Sequence, residues 1–314
     1  HNNYNMRVFV DGGDIESIDG TFAYENNVQF VETCDILSRQ TIIDWWIANG
    51  GASGGLVVSG SPLYRLVTTY RFDLDGQLTV HRDWIFLANT NVADLMGLQV
   101  QRLNAPTNYR LPGSEPFTYD GSSVDYGNGV ASDRTLTAAG TPSINFNATN
   151  LQATGEYAHR VLSEWSSYAF AVGMLPVGAA AYDVRRTNTS ARALELRGNS
   201  AKLYFRIVDK GDYVAAAGES VSMVGFRHVV PRSSGQPMVT TVRMSPSRAF
   251  VYIDGVNFAG FDSVSIPPDL TGWDLTVADS RNASLIGTGP ATGDLTFSAT
   301  ATGDHYYLVL DMGA

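Results

Sequence analysis

Tyr64-Arg65-Leu66-Val67-Thr68-Thr69-Tyr70-Arg71-Phe72 and Leu78-Thr79-Val80-His81-Arg82-Asp83-Trp84-Ile85-Phe86 are two runs rich in β-branched and aromatic residues, joined by Asp73-Leu74-Asp75-Gly76-Gln77. Two strand-like runs around an Asp-Gly are the strongest short-range signal of a β-hairpin, because the glycine supplies the positive φ that a tight reversal needs. This stretch makes the chain antiparallel β at its centre. A third run, Leu95-Met96-Gly97-Leu98-Gln99-Val100-Gln101-Arg102-Leu103, follows closely enough to extend the pair into a three-stranded meander.

The same pattern continues outward in both directions. Met6–Val10 and Val28–Val31 precede the hairpin as short β-rich runs. Tyr157–Leu162, Ser167–Leu175, Ala193–Arg197, Leu203–Val208 and Glu219–Val230 follow it. Ile36-Leu37, Gln40, Ile43-Asp44 and Ile47 fall at helical spacing ahead of Gly50-Gly51, so a helix is expected there; a strand from Val28 to Leu37 running into a loop is the competing reading. Residues 104–155 change character: Asn, Pro, Gly, Ser and Thr dominate, as in surface excursions from a β scaffold. Pro231-Arg232-Ser233-Ser234-Gly235-Gln236-Pro237 reads as a linker, after which Val239–Met244, Ala249–Ile253, Trp273–Val277, Leu295–Ala299 and Tyr306–Asp311 form a compact all-β segment. Thr292-Gly293-Asp294 and Thr302-Gly303-Asp304 recur as successive turns of an up-and-down hairpin would. The expectation is an all-β protein: a large antiparallel β-sandwich over residues 1–232, then a small β-sandwich or barrel-like domain over 237–314.

Only 17% of the 314 residues are charged, below the roughly 25% usual for globular domains. The chain is nonetheless too apolar to be disordered, and no apolar run approaches the ~18 residues of a membrane helix, so no membrane insertion is expected. Lys+Arg of 21 against Asp+Glu of 31 leaves a net charge of -10, which argues against nucleic acid, since nothing would release a polyanion's counterions. One cysteine, Cys34, excludes an intrachain disulfide framework and a thiolate-cluster metal site, and no cofactor is expected. The chain opens on His1-Asn2-Asn3-Tyr4, which reads as a processed chain or as a fragment of a longer one.

The five histidines are scattered and no G-x-S-x-G occurs, so neither a serine-hydrolase elbow nor a histidine metal site is signalled. In Tyr157-Ala158-His159-Arg160, strand alternation puts Tyr157 and His159 on one face about 7 Å apart. Such a pair, with His228 beside Arg227 as a third member, could abstract a proton α to a uronate carboxylate and protonate the leaving oxygen, which is lyase chemistry; solvated polar residues at a strand edge are the alternative. Glycoside hydrolysis needs paired acids, for which Asp83, Asp94, Glu156 and Glu164 are candidates, Glu164 the best because Trp165 follows it. Asp11-Gly12-Gly13-Asp14-Ile15-Glu16 and Asp73-Leu74-Asp75-Gly76 resemble half calcium loops, but Asp and Gly are what turns require. Tyr109, Phe117, Tyr119 and Tyr126 stand in the polar segment and, with Trp165, form the candidate contact surface for glycans, since tyrosines on polar loops are rigid and amphipathic; packing of the loops onto the sheet is the alternative.

Asp75-Gly76 feeding a strand with Trp84, Asp94-Leu95-Met96-Gly97-Leu98-Gln99, Tyr168-Ala169-Phe170-Ala171-Val172, and Lys202-Leu203-Tyr204-Phe205-Arg206 followed by Ala217-Gly218-Glu219 together resemble a large β-sandwich module of phage tail proteins and secreted proteins, where it often accompanies an SGNH/GDSL-type esterase domain. The esterase blocks themselves are missing, so the resemblance implies an accessory or receptor-contacting module. The expected function is an extracellular or virion binding protein, a phage tail fibre or spike component that recognises surface glycans and self-associates, a trimer suiting a fibre. The alternative is a carbohydrate-active enzyme, a polysaccharide lyase using Tyr157 and His159 or a hydrolase using acids such as Glu164.

Overall fold

The computed structural model describes residues 2–15, 27–48, 60–92, 95–101, 108–110, 135–136, 143–147, 160–177, 192–197, 202–208, 213–233, 236–256, 260–286, 293–299 and 305–314. Within them the chain is all-β with one α-helix, and every strand pairing is antiparallel. Among the described residues no sheet closes into a barrel.

The hairpin Tyr64–Asp73 and Leu78–Phe86 forms as expected, with Phe72 opposite Leu78. Asp73 and Gln77 close the loop through the Asp73 N–H and Gln77 carbonyl at 3.0 Å, and Gly76 takes φ +80°. This is a three-residue loop whose last position is left-handed. The pair sits inside a nine-stranded sheet, which runs Gly13–Ile15, Asn2–Val10, Asn27–Ile36, Tyr64–Asp73, Leu78–Phe86, Ser220–Pro231, Tyr168–Val177, Arg160–Glu164 and Asn108–Arg110. The expected meander stops at two strands. Leu95–Gln101 pairs instead with Lys202–Val208 in a separate five-stranded sheet, and the neighbour of Leu78–Phe86 is Ser220–Pro231.

Glycine explains that crossing. A Cβ on Gly97 would lie 2.0 Å from Met174 Sδ, and one on Gly225 would lie 2.5 Å from the Leu98 side chain. The strand therefore stacks face to face on the nine-stranded sheet, with Gly97 and Leu98 pressed against Met174, Met223 and Gly225. This is how the large sandwich closes.

The strands after Pro237 make two further sheets. Met238–Ser245, Arg248–Val256, His305–Gly313 and Asp274–Arg281 form a four-stranded sheet; Gly260–Ser265, Asp294–Ala299 and Ala283–Ile286 form a three-stranded one. Between them lies a core of Val251, Ile253, Leu270, Phe297, Leu308 and Leu310. The strands Asp294–Ala299 and His305–Gly313 belong to different sheets, so the repeated Thr-Gly-Asp turns do not frame a hairpin. Thr302-Gly303-Asp304 itself lies outside the described residues.

The opposite face of the four-stranded sheet packs on the nine-stranded one: Val242, Phe250, Tyr252 and Val309 meet Leu162, Ala171, Val224 and Phe226. Phe226 and Tyr252 stack with ring centroids 5.9 Å apart. Each such side chain, withdrawn from water, stabilises the junction by about 1.5–3 kcal/mol. The four-stranded sheet is thus apolar on both faces, between the nine-stranded and three-stranded layers.

After Val28 the expected helix forms, preceded by the strand of the competing reading, while the loop that reading placed after the strand is not there. The strand runs through Ile36 and the helix follows at Arg39–Ala48. Ser38 starts it: its hydroxyl accepts the Thr41 N–H at 2.9 Å, satisfying one of the unpaired donors of the first turn.

Candidate binding cleft

At the junction of the large sandwich and the C-terminal layers lies a cleft of about 580 Å³. One wall comes from the tips of two hairpins, Asp11-Gly12 and Asp73-Leu74-Asp75; the other from Pro246, Pro267, Pro268 and Trp273; Asn27, Gln29 and Arg71 reach it from the strands. Local turn chemistry positions the polar side. Asp11, at φ +49°, accepts the Asn27 N–H at 2.9 Å, and Gln29 Nε2 donates to Asn27 Oδ1 at 2.9 Å. Asp75 accepts the Gln77 N–H at 3.1 Å, and Asp14 pairs with Arg7. The aspartates of both half calcium loops are therefore engaged as turn and ion-pair groups, and among the described residues no group of three or more His, Cys, Asp or Glu side chains is placed to hold a metal ion.

Arg243 holds the junction together. Its side chain is 6% exposed, and it binds Asp269 with two parallel hydrogen bonds at 2.9 and 3.0 Å. Its third nitrogen donates to Gln77 Oε1 at 3.0 Å and lies 3.4 Å from Asp73 and 3.5 Å from Asp75. Burial opposes the guanidinium charge, but Asp269, Asp73 and Asp75 outweigh it and raise the arginine's proton affinity. Burial likewise pushes the Asp269 carboxyl up, yet the Arg243 hydrogen bond and charge prevail and hold it below the usual carboxylate range. Asp73 ends on the other side: burial raises it more than Arg243 and Arg71 lower it, although Arg71 donates to it at 2.7 Å. The cleft thus combines an aromatic and proline wall with amides and four carboxylates, whose charge two arginines offset in part.

The residues singled out from sequence are distributed unevenly around this site. His228 comes nearest. It stands half-buried on the face of the nine-stranded sheet that meets the C-terminal layers, where burial depresses its proton affinity, Asp75 raises it and Arg243 lowers it again. Trp165 lies elsewhere, in the tight turn between Arg160–Glu164 and Tyr168–Val177, stacked on Tyr168 with centroids 4.9 Å apart and planes 12° from parallel. The strand Asn108–Arg110 brings the Tyr109 backbone opposite Ser163, at the same edge and two residues from Trp165. Tyr157, His159, Phe117, Tyr119 and Tyr126, with Asp94 and Glu156, lie outside the described residues. Asp83 accepts a hydrogen bond from Ser222 and lies 3.3 Å from His81 Nε2 through the same oxygen. The acid therefore stands between serine and histidine, whereas a hydrolytic triad places the histidine between serine and acid.

Sequence reading missed Arg243, Asp269 and Trp273. An arginine inside the otherwise β-branched run Val239-Thr240-Thr241-Val242-Arg243 was the available signal, since a strand rarely buries a cation without paired acids. No protein-family model matches the chain, and no curated protein matches it in sequence.

Proposed function

We propose that the chain is a carbohydrate-binding β-sandwich protein that takes a glycan segment into the cleft at the junction. The observation that carries this is the pairing of surfaces across one cleft. Trp273 and the prolines offer an apolar wall to the C–H face of a sugar ring, and Asn27, Gln29, Asp11 and Asp75 offer hydrogen-bond partners to its hydroxyls. Asp73, Asp75 and Asp269 are tied to Arg71 and Arg243, which supports binding over acid–base catalysis. An extracellular or virion fibre is the setting that the sequence resemblance supports, and Trp165, stacked on Tyr168 in the turn beside the strand that carries Tyr109, is a second contact point in that reading.

The test is a glycan array, followed by calorimetry on the best hit. Gln29→Ala and Trp273→Ala should each weaken binding at least tenfold while the melting temperature of Gln29→Ala stays within a few degrees of the parent. A hit whose affinity neither substitution changes would place the site elsewhere, and release of reducing ends or unsaturated uronate from any array member would replace this reading with the enzymatic one.

A further inference from the structure

The charges that line the junction cleft do not balance. Asp73, Asp75 and Asp269 stand there with two guanidiniums, Arg71 and Arg243. Arg243 is nearly spent: its Nε and Nη2 hold the Asp269 carboxylate at 2.9 and 3.0 Å, and its Nη1 donates to Gln77 Oε1 at 3.0 Å. The Oδ2 oxygens of Asp73 and Asp75 lie near that same Nη1, at 3.4 and 3.5 Å, so one nitrogen is spread over three acceptors. Arg71 serves the other oxygen of Asp73, at 2.7 Å, and Asp73 Oδ2 is buried without a hydrogen bond.

Three carboxylates therefore share two guanidiniums, and one negative charge is in excess. Asp73 registers it: burial raises its proton affinity, Arg243 and Arg71 lower it by less, and the charge of Asp75 raises it further. His228, facing the same hairpin, brings no offsetting charge at neutral pH, because burial holds its proton affinity below the ordinary histidine value. Asp75 is the acid placed to meet a ligand. Its side chain is 31% exposed against 2% for Asp73, whereas Asp269 has both oxygens on Arg243. Asp75 Oδ1 accepts the Gln77 N–H at 3.1 Å, which orients the carboxylate, and its Oδ2 has only the long contact to Arg243. A cation reaching Asp75 gains a charge-assisted hydrogen bond and relieves the repulsion between the two acids. The chain's net charge of -10 draws cations toward it.

We propose that the glycan segment taken by the cleft carries a free amino group, a glucosamine-type ammonium that donates to Asp75 while the sugar ring lies against Trp273 and the prolines. A uronate in the same place would add a carboxylate to a cluster already in negative excess. The inference rests on the glycan reading of the cleft and adds the charge class of the sugar.

The probes are a glucosamine tetramer, its fully N-acetylated counterpart, a galacturonate tetramer and tetralysine. Each is titrated into the full chain by calorimetry at constant ionic strength and neutral pH, where amines of this kind keep most of their charge. The glucosamine tetramer should bind about tenfold tighter than the N-acetylated one, the scale of one charge-assisted hydrogen bond, with galacturonate weakest. Asp75→Asn keeps the oxygen that forms the turn but not the charge, and should bring the glucosamine and N-acetylated affinities together. The proposal is overturned by equal binding of those two tetramers to the native chain, by galacturonate binding tightest, or by a preference that Asp75→Asn retains in full. It is also overturned if tetralysine binds as tightly as the glucosamine tetramer, which would mark attraction of any cation to an acidic chain. Equal binding that Trp273→Ala still weakens removes the amino-group assignment and leaves the glycan reading standing; no binding by any sugar tetramer, with a blank array, removes both. If Asp75→Asn does not fold, the native comparison of the four probes decides alone.

Discussion

Two histidines on one face of the nine-stranded sheet are tuned in opposite directions. The Asp83 hydrogen bond raises His81, against a smaller opposing effect of burial. His228 is lowered chiefly by burial. With an unfolded reference near 6.5, protonated His81 contributes stability that is fully present below that pH and is lost as pH rises through its higher folded midpoint. Neutral His228 contributes stability present above about 6.5 and lost as pH falls through its lower folded midpoint. Proton NMR titration should therefore show two midpoints on opposite sides of the peptide value. Asp83→Asn should bring His81 down and leave His228 in place; coincident midpoints would refute both environments. His228 was visible in the sequence, but beside Arg227 at a strand end. Its effective neighbours, Asp75 and Arg243, come from a distant hairpin and from the C-terminal sheet, so its chemistry was not legible locally.

At the scale of elements, the longer strands were mostly legible, because β-branched and aromatic runs between Gly and Asp turns carry their own signal over ten residues or fewer, whereas short strands such as Gly13–Ile15, Thr90–Val92, Tyr213–Ala215 and Ala283–Ile286 were not read. Partnership was less legible. Leu95–Gln101 reads as a third meander strand yet crosses to the other sheet, and the side-chain gaps at Gly97 and Gly225 are what allow it to stack there. Gly225→Ala should accordingly destabilise the chain by about 1–3 kcal/mol through overpacking against Leu98. The measurement is a shift in urea midpoint at constant slope. In a Leu98→Ala background the added cost of the same substitution should shrink, because the residue it collides with is gone. Additive costs would mean that the two layers do not meet at this point. The C-terminal strands hold a comparable clue. Ala249–Ile253 and Tyr306–Leu310 are continuously apolar where a half-exposed strand alternates, and the structure buries both of their faces.

Over the whole molecule, the large sandwich and the C-terminal layers share an apolar interface centred on Phe226 and Tyr252, with the Arg243 cluster at its polar margin. Arg243→Met should destabilise the chain by roughly 3–5 kcal/mol, since it leaves Asp269 without its two-pronged partner and Asp73 with Arg71 alone, and Arg243→Lys should cost less because it keeps the charge but not the two-pronged geometry. Urea unfolding followed by tryptophan fluorescence checks this, and a loss under about 1 kcal/mol for Arg243→Met would show that the apolar interface holds the junction unaided. The sequence by itself determined the β class, the hairpin at Asp75-Gly76 and the positions of most of the longer strands, since propensity, alternation and turn geometry act between residues a few positions apart. Only the tertiary structure decided which strands are neighbours, which sheet is buried on both faces, and which aspartates meet Arg243. Those outcomes depend on burial and charge pairing between residues far apart in the chain, and a local pattern is compatible with many such pairings.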